Sequence, residues 1–239
     1  MSNLYRERGI VLRTIKLGEA DRIITFVTEH HGKVRAVAKG VRKTKSRFGA
    51  RLEPLGHVSL LLYKGRNLDI VTQVEVLEGF REVREDLDRL GRAMAVLEVV
   101  DHVLQEGEDD PRLYQMGLGA LRSLAARDVP LLVPAFFWKL LAQQGVSPLL
   151  DACAGCGDDV ELVAFDLGEG GALCRGCRRG ARLTPGGLAL LRRILGGDLV
   201  GVLAEPASSA GFEVEHLARQ ALEHHLERRL RAVDLLDHG

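Results

Sequence analysis

The chain has 239 residues, 46% of them hydrophobic, and carries 33 basic against 33 acidic side chains. That is enough apolar material for one large domain or two smaller ones, and too much for a disordered chain. The first nine residues lack the apolar core of a signal peptide, and the longest uncharged apolar run, Val129 to Trp138, is too short for a bilayer. The four cysteines fall between 153 and 177 rather than forming a disulfide framework, so a folded cytoplasmic protein is expected.

The zero net charge conceals a gradient. Residues 1–80 hold 15 Lys/Arg against 8 Asp/Glu, and residues 81–239 hold 18 against 25, a swing from +7 to −7. The periodicity changes at the same place. Gly9–Ile15, Arg22–Thr28, Gly32–Lys39, Leu55–Tyr63 and Leu68–Val76 read as five strands rich in Val, Ile, Leu and Thr. In the fifth, Leu68, Ile70, Thr72, Val74 and Val76 are expected to share the buried face, opposite Asp69, Gln73 and Glu75. Lys64-Gly65-Arg66-Asn67 reads as a hairpin turn in which Gly and Asn take positive φ. Five short strands in this length suit a small barrel of the OB type.

Between Lys33 and Arg51 lie eight basic residues and no acidic one: Lys33, Arg35, Lys39, Arg42, Lys43, Lys45, Arg47 and Arg51. Strand alternation puts Lys33, Arg35 and Lys39 on one face, and the rest follow in a loop. So dense a set of like charges repels itself, which points to an anionic partner, with nucleic acid favoured on a barrel. Phe48, inside the loop, is a candidate for stacking on a base, although loop aromatics more often pack on their own barrel. The alternatives are a solvated loop or one paired with the acidic part of the same chain.

From Leu87 the pattern is helical. Leu87, Leu90, Met94, Leu97, Val100 and Leu104 form one stripe; Asp110-Pro111 reads as a helix start and Gly145 as the stop of the helix through Phe136 and Leu140. Thr184-Pro185 opens a helix carrying Leu188, Leu191 and Leu195. The last helix is expected to turn Val214, Leu217, Ala221, Leu222, Leu226, Leu230 and Val233 inward. One helical bundle is expected, in two parts (81–146 and 180–239), interrupted by a cysteine module over 147–179.

Within that module Cys153-Ala154-Gly155-Cys156 and Cys174-Arg175-Gly176-Cys177 are two CxxC knuckles with 17 residues between them. Each turn aims two thiolates at one centre, and two turns supply the tetrahedral set Zn²⁺ prefers. Val160 to Leu173 is expected to form a hairpin around Gly168–Gly171. With four Cys ligands no position remains for activated water, so the expected role is structural; a redox dithiol and a pair of disulfides are the weaker readings. Arg175, Arg178 and Arg179 add a smaller basic patch.

Nothing in the chain reads as catalytic. His30-His31 suits a surface turn, and His224-His225 project about 100° apart on a helix. Gly117-Leu118-Gly119 lacks a preceding strand, and Asp109-Asp110 and Asp158-Asp159 are adjacent rather than separated acid/base pairs.

Several of these segments together resemble the RecO family of bacterial recombination mediators. The resemblance rests on Gly9-Ile10-Val11-Leu12-Arg13, Gly18-Glu19-Ala20-Asp21-Arg22-Ile23, Gly32-Lys33, Ala38-Lys39-Gly40-Val41-Arg42-Lys43, Ser46-Arg47-Phe48, Leu52-Glu53-Pro54, Gly65-Arg66-Asn67-Leu68, the paired CxxC module and Leu183-Thr184. It is strong over 1–80 and looser beyond. It implies an OB-fold domain (1–80), a helical domain and one structural Zn²⁺ per chain, without enzymatic turnover. It further implies binding of single- and double-stranded DNA, annealing of complementary strands and, with the partner RecR, loading of RecA onto strands coated by single-strand-binding protein. The place of action it implies is the nucleoid, away from membranes. A zinc-ribbon scaffold, an RNA-binding protein and a zinc-ribbon nucleic-acid-modifying enzyme are the rival readings.

Overall fold

The computed structural model describes residues 3–43, 46 and 48–232. The chain divides into two compact units, one of the described residues up to Arg127 and the other from Asp128 onward.

The first unit is built on a closed barrel of β1 (Leu4–Leu17), β2 (Asp21–Thr28), β3 (Lys33–Ala38), β4 (His57–Tyr63) and β5 (Asp69–Glu78), in the order β1-β2-β3-β5-β4. This is the expected OB-type closure. β1 is long because it serves two neighbours: Leu4–Ile10 pair with β4, and Gly9–Leu17 pair with β2. A register shift between Val11 and Arg13 bends it where it passes from one to the other. Closure comes from a short parallel contact, Ala36 with Asp69 and Val37 with Ile70. Alternation holds in β3, where Val34, Ala36 and Ala38 face the core.

β5 departs from the expected face. Leu61 pairs with Gln73 and Leu62 with Val71, so Thr72 is the extra residue of a bulge, its hydroxyl donating to the Leu61 carbonyl at 2.6 Å. The bulge shifts the phase, and Val71, not Ile70 or Thr72, enters the core. In the β4–β5 turn, Gly65 is required for closeness rather than for positive φ: a Cβ there would lie 2.0 Å from the Leu68 carbonyl oxygen.

Three helices complete the unit: α1 (Arg81–Arg84), α2 (Leu87–Val103) and α3 (Pro111–Ala126). Asp110 caps α3 as expected, accepting from the Leu113 N–H at 2.8 Å. The buried side of α2 is formed by Ala93, Val96, Leu97, Val99 and Val100, whereas Leu87, at the first turn, is exposed.

The second unit contains α4 (Leu132–Gln143), a three-stranded sheet, α5 (Pro185–Gly196), α6 (Leu199–Val202) and α7 (Ser209–Leu226). The sheet strands are β6 (Leu162–Asp166), β7 (Gly171–Cys174) and β8 (Ala181–Arg182), in the order β7-β6-β8. Thr184 caps α5 through its hydroxyl, and Gly145, at φ +81°, ends the turn after α4. Trp138 is buried and donates its indole N–H to the Val214 carbonyl of α7 at 3.1 Å. The helices expected as one bundle are therefore divided, α1–α3 with the barrel and α4–α7 with the cysteine sheet. α7 is shorter than its apolar pattern suggests. Glu227 takes a left-handed conformation (φ +50°) that stops it, and Leu230 is buried beyond the helix end; Val233 lies outside the described residues.

Candidate metal centre and nucleic-acid interface

The two CxxC knuckles meet. One sulfur from each of Cys153, Cys156, Cys174 and Cys177 lies within 4.8 Å of all the others, with Cys156 Sγ and Cys174 Sγ 3.9 Å apart. A tetrahedral Zn²⁺ with Zn–S bonds of about 2.3 Å needs sulfurs about 3.8 Å apart, so the donor set and its spacing fit one structural ion. The expected hairpin holds the knuckles together, with Leu162 opposite Cys174 and Asp166 opposite Gly171. Ala154 N–H donates to the Ala172 carbonyl at 2.8 Å, tying the first knuckle to β7. Gly155 is glycine for a local reason: a Cβ would sit 3.2 Å from the Cys177 Cβ. Backbone N–H groups, first that of Cys174 and then those of Cys156 and Gly155, hold the Cys153 thiol down at about 6. That amide cradle favours the thiolate, the form that ligates metal.

The neighbouring arginines are partly neutralised. Arg175 pairs with Glu161 at 3.4 Å and Arg179 with Glu169, whereas Arg178 is exposed.

On the barrel the eight expected cations separate into groups. Lys33 and Arg35 leave the outer side of β3, but both are engaged. Lys33 Nζ lies 3.1 Å from Asp101 of α2, only 13% of its side chain exposed, and Arg35 pairs with Glu106 at 3.0 Å. Asp101 also holds Arg13 of β1. These cations dock helix and loop onto the barrel before they meet any ligand.

Lys39, Arg42 and Lys43 are different. All three are exposed, and the loop they flank is bound to the β1–β2 turn and the start of β2 through Gly40 and Arg42. Gly40 N–H donates to Asp21 at 2.7 Å, Arg42 N–H to the Ala20 carbonyl at 2.9 Å, and the Arg42 guanidinium to the Gly18 carbonyl at 3.3 Å. Strand register adds a residue that sequence patterning passes over. Lys16 is exposed opposite Arg22, and Arg22 lies opposite Ala38, the neighbour of Lys39. Arg22 is offset by Glu53 at 2.8 Å, whereas Lys16, Lys39, Arg42 and Lys43 are exposed among the described cations at this end of the barrel. Pairing across β2 brings Lys16 level with Ala38, the residue before Lys39, a proximity that local sequence pattern does not show. Arg51 is exposed in the 3₁₀ turn Gly49–Leu52; Lys45 and Arg47 lie outside the described residues.

Phe48 is a correction. It is buried to 1% in the barrel core, among Val11, Phe26, Leu52 and Leu60. Its ring belongs to the barrel core together with Leu52 of the same connection, and at 1% exposure it offers no face to a base.

No helix among the described residues is long and apolar enough to cross a membrane. Comparison with known families gives two matches in sequence: residues 1–80 match the family model described as recombination protein O N terminal, and residues 84–234 match recombination protein O C terminal.

Proposed function

Since the chain belongs to the RecO family of recombinational repair proteins along nearly its whole length, we propose that it binds single- and double-stranded DNA through the barrel end that carries Lys16, Lys39, Arg42 and Lys43. The observation that carries this reading is the exposure of Lys39, Arg42 and Lys43 on a loop bound to the β1–β2 turn, with Lys16 exposed at the end of β1, while neighbouring cations are spent internally. Phosphates that replace small counterions at such a surface give affinity that falls with salt. Neutralising two strands on one surface lowers their repulsion, so complementary strands anneal there without any turnover chemistry. In the same role the protein, with RecR, hands strands coated by single-strand-binding protein to RecA. The cysteine centre holds Zn²⁺ as a structural ion: four thiolates complete its shell and leave no place for a reacting water.

The test is binding and annealing of oligonucleotides by the full chain and by a Lys39→Glu/Arg42→Glu/Lys43→Glu variant across several salt concentrations. The variant is expected to keep its circular dichroism spectrum and lose both activities. Unchanged affinity and salt dependence would remove the barrel end as the DNA site.

A further inference from the structure

Glu7, in β1, has a side chain with no exposed surface, yet the groups that meet its carboxylate are two imidazoles and a backbone amide. Oε1 is 3.3 Å from His30 Nδ1 and accepts from the Arg8 N–H at 2.7 Å; Oε2 is 2.5 Å from His31 Nδ1. Glu29 brings a second carboxylate. One oxygen of Glu7, one of Glu29 and a ring nitrogen of His30 all lie within 4.8 Å of one another. Two carboxylates at this range repel, and the cation beside Glu29 is Arg8, at 3.8 Å and largely exposed.

We propose that Glu7, Glu29 and His30 form a second metal site, for a divalent transition ion of the zinc class, with His31 as the hydrogen-bond partner that orients Glu7. The donor set is one imidazole and two carboxylates, which suits Zn²⁺, Co²⁺ or Ni²⁺ better than the all-oxygen shells of Mg²⁺ and Ca²⁺. Ligand atoms about 2.0–2.1 Å from a tetrahedral ion lie about 3.3 Å apart, and the Glu7–His30 pair has that separation at 3.3 Å. His31 binds the other oxygen of Glu7, the outer contact that fixes a ligating carboxylate. His30, 70% exposed, leaves a path from solvent and room for a water as fourth ligand.

The turn carrying these histidines is already fixed. The Thr28 hydroxyl donates to the Gly32 carbonyl at 2.9 Å and accepts from the His31 N–H at 3.2 Å, and the Glu29 N–H donates to the Arg8 carbonyl at 3.0 Å. Gly32 takes φ +57°, and a Cβ there would run into the Glu108 carbonyl oxygen at 1.7 Å. An ion here staples the start of β1 to the β2–β3 turn. With three protein ligands it binds more weakly than at the cysteine centre.

Equilibrium dialysis of the full chain against Zn²⁺, read by elemental analysis, tests this. The wild type is expected to hold one equivalent more than His30→Ala and than Glu29→Gln. Both substitutions alter side chains with solvent access, and circular dichroism confirms that the fold is kept. In a parallel Co²⁺ titration the extra equivalent should lack thiolate charge-transfer absorption, as expected of an imidazole–carboxylate shell. Equal stoichiometry in wild type and variants would overturn the proposal, and so would an extra equivalent carrying thiolate bands.

Discussion

The hydroxyl of Tyr114 in α3 lies 2.8 Å from Nε2 of His57, the first residue of β4, and joins a helix to the barrel inside the first unit. The second ring nitrogen, Nδ1, is 2.9 Å from Glu78 at the end of β5. A carboxylate only accepts, so Nδ1 carries the proton and Nε2 accepts from the tyrosine. Burial lowers the His57 pKa against the opposing pull of Glu78, and burial raises Tyr114 to about 12; a neutral imidazole and a protonated phenol are what this chain of donors requires. Arg122 holds Glu78 below the usual carboxylate range, with a guanidinium hydrogen bond of 2.7 Å.

Acid should therefore weaken this junction. The folded His57 pKa lies below its unfolded value of about 6.5, so the unfolded chain takes up the proton first. Stability then falls as the pH drops through that value towards the folded pKa, and levels off below it. Hydrogen exchange of the β4 amides is expected to accelerate over this window more in the wild type than in His57→Gln. Equal acid sensitivity would show that His57 is not the source. At neutral pH Tyr114→Phe should cost about 1–3 kcal/mol, because it leaves a buried nitrogen unpaired.

Most of the fold is legible from local pattern. Strand alternation in β3, the Asp110 and Thr184 caps and the CxxC spacing each depend on residues close in sequence, and each appears in place. What sequence could not yield depends on partners supplied from elsewhere. Lys33 and Arg35 read as ligand-facing until α2 and its following loop bring Asp101 and Glu106 against them. His30-His31 reads as a plain surface turn until Glu7, 23 residues before His30, arrives from the paired strand. Thr72 reads as an alternating core position, because a bulge is invisible without its partner strand.

Phe48 gives a clean separation of packing from binding. Phe48→Ala should destabilise the barrel by about 3–5 kcal/mol, the cost of truncating a buried aromatic. Phe48→Leu keeps most of the apolar volume and should retain wild-type affinity for single-stranded oligonucleotides. A folded Phe48→Leu protein with selectively lost single-strand affinity would mean that the ring leaves the core to stack.

Removing the Zn²⁺ proposed for the cysteine centre should act locally. Four thiolates brought within 4.8 Å of one another repel unless protonated or bound to a cation. A strong chelator, or Cys153→Ser, is therefore expected to speed hydrogen exchange in β6, β7 and the two knuckles. Exchange there that ignores both treatments would mean that the sheet stands without the ion.

The cations of the barrel should divide by how they are engaged. Lys39, Arg42 and Lys43 are exposed to solvent, so each can exchange a counterion for a phosphate; Lys33 is mostly buried against Asp101. Neutralising the first three together (Lys39→Gln/Arg42→Gln/Lys43→Gln) should reduce the slope of log affinity against log salt for single-stranded DNA by about 2, near 0.7 per lost contact. Lys33→Gln should leave that slope unchanged, and its effect should appear instead as faster exchange where α2 meets β3, because Asp101 loses Lys33 while it keeps Arg13 of β1. The two variants thus differ in which quantity moves. A Lys33→Gln protein whose salt slope falls as much as that of the triple variant would place the phosphate path along the face of β3, and not at the turn where Arg42 is bound to Gly18.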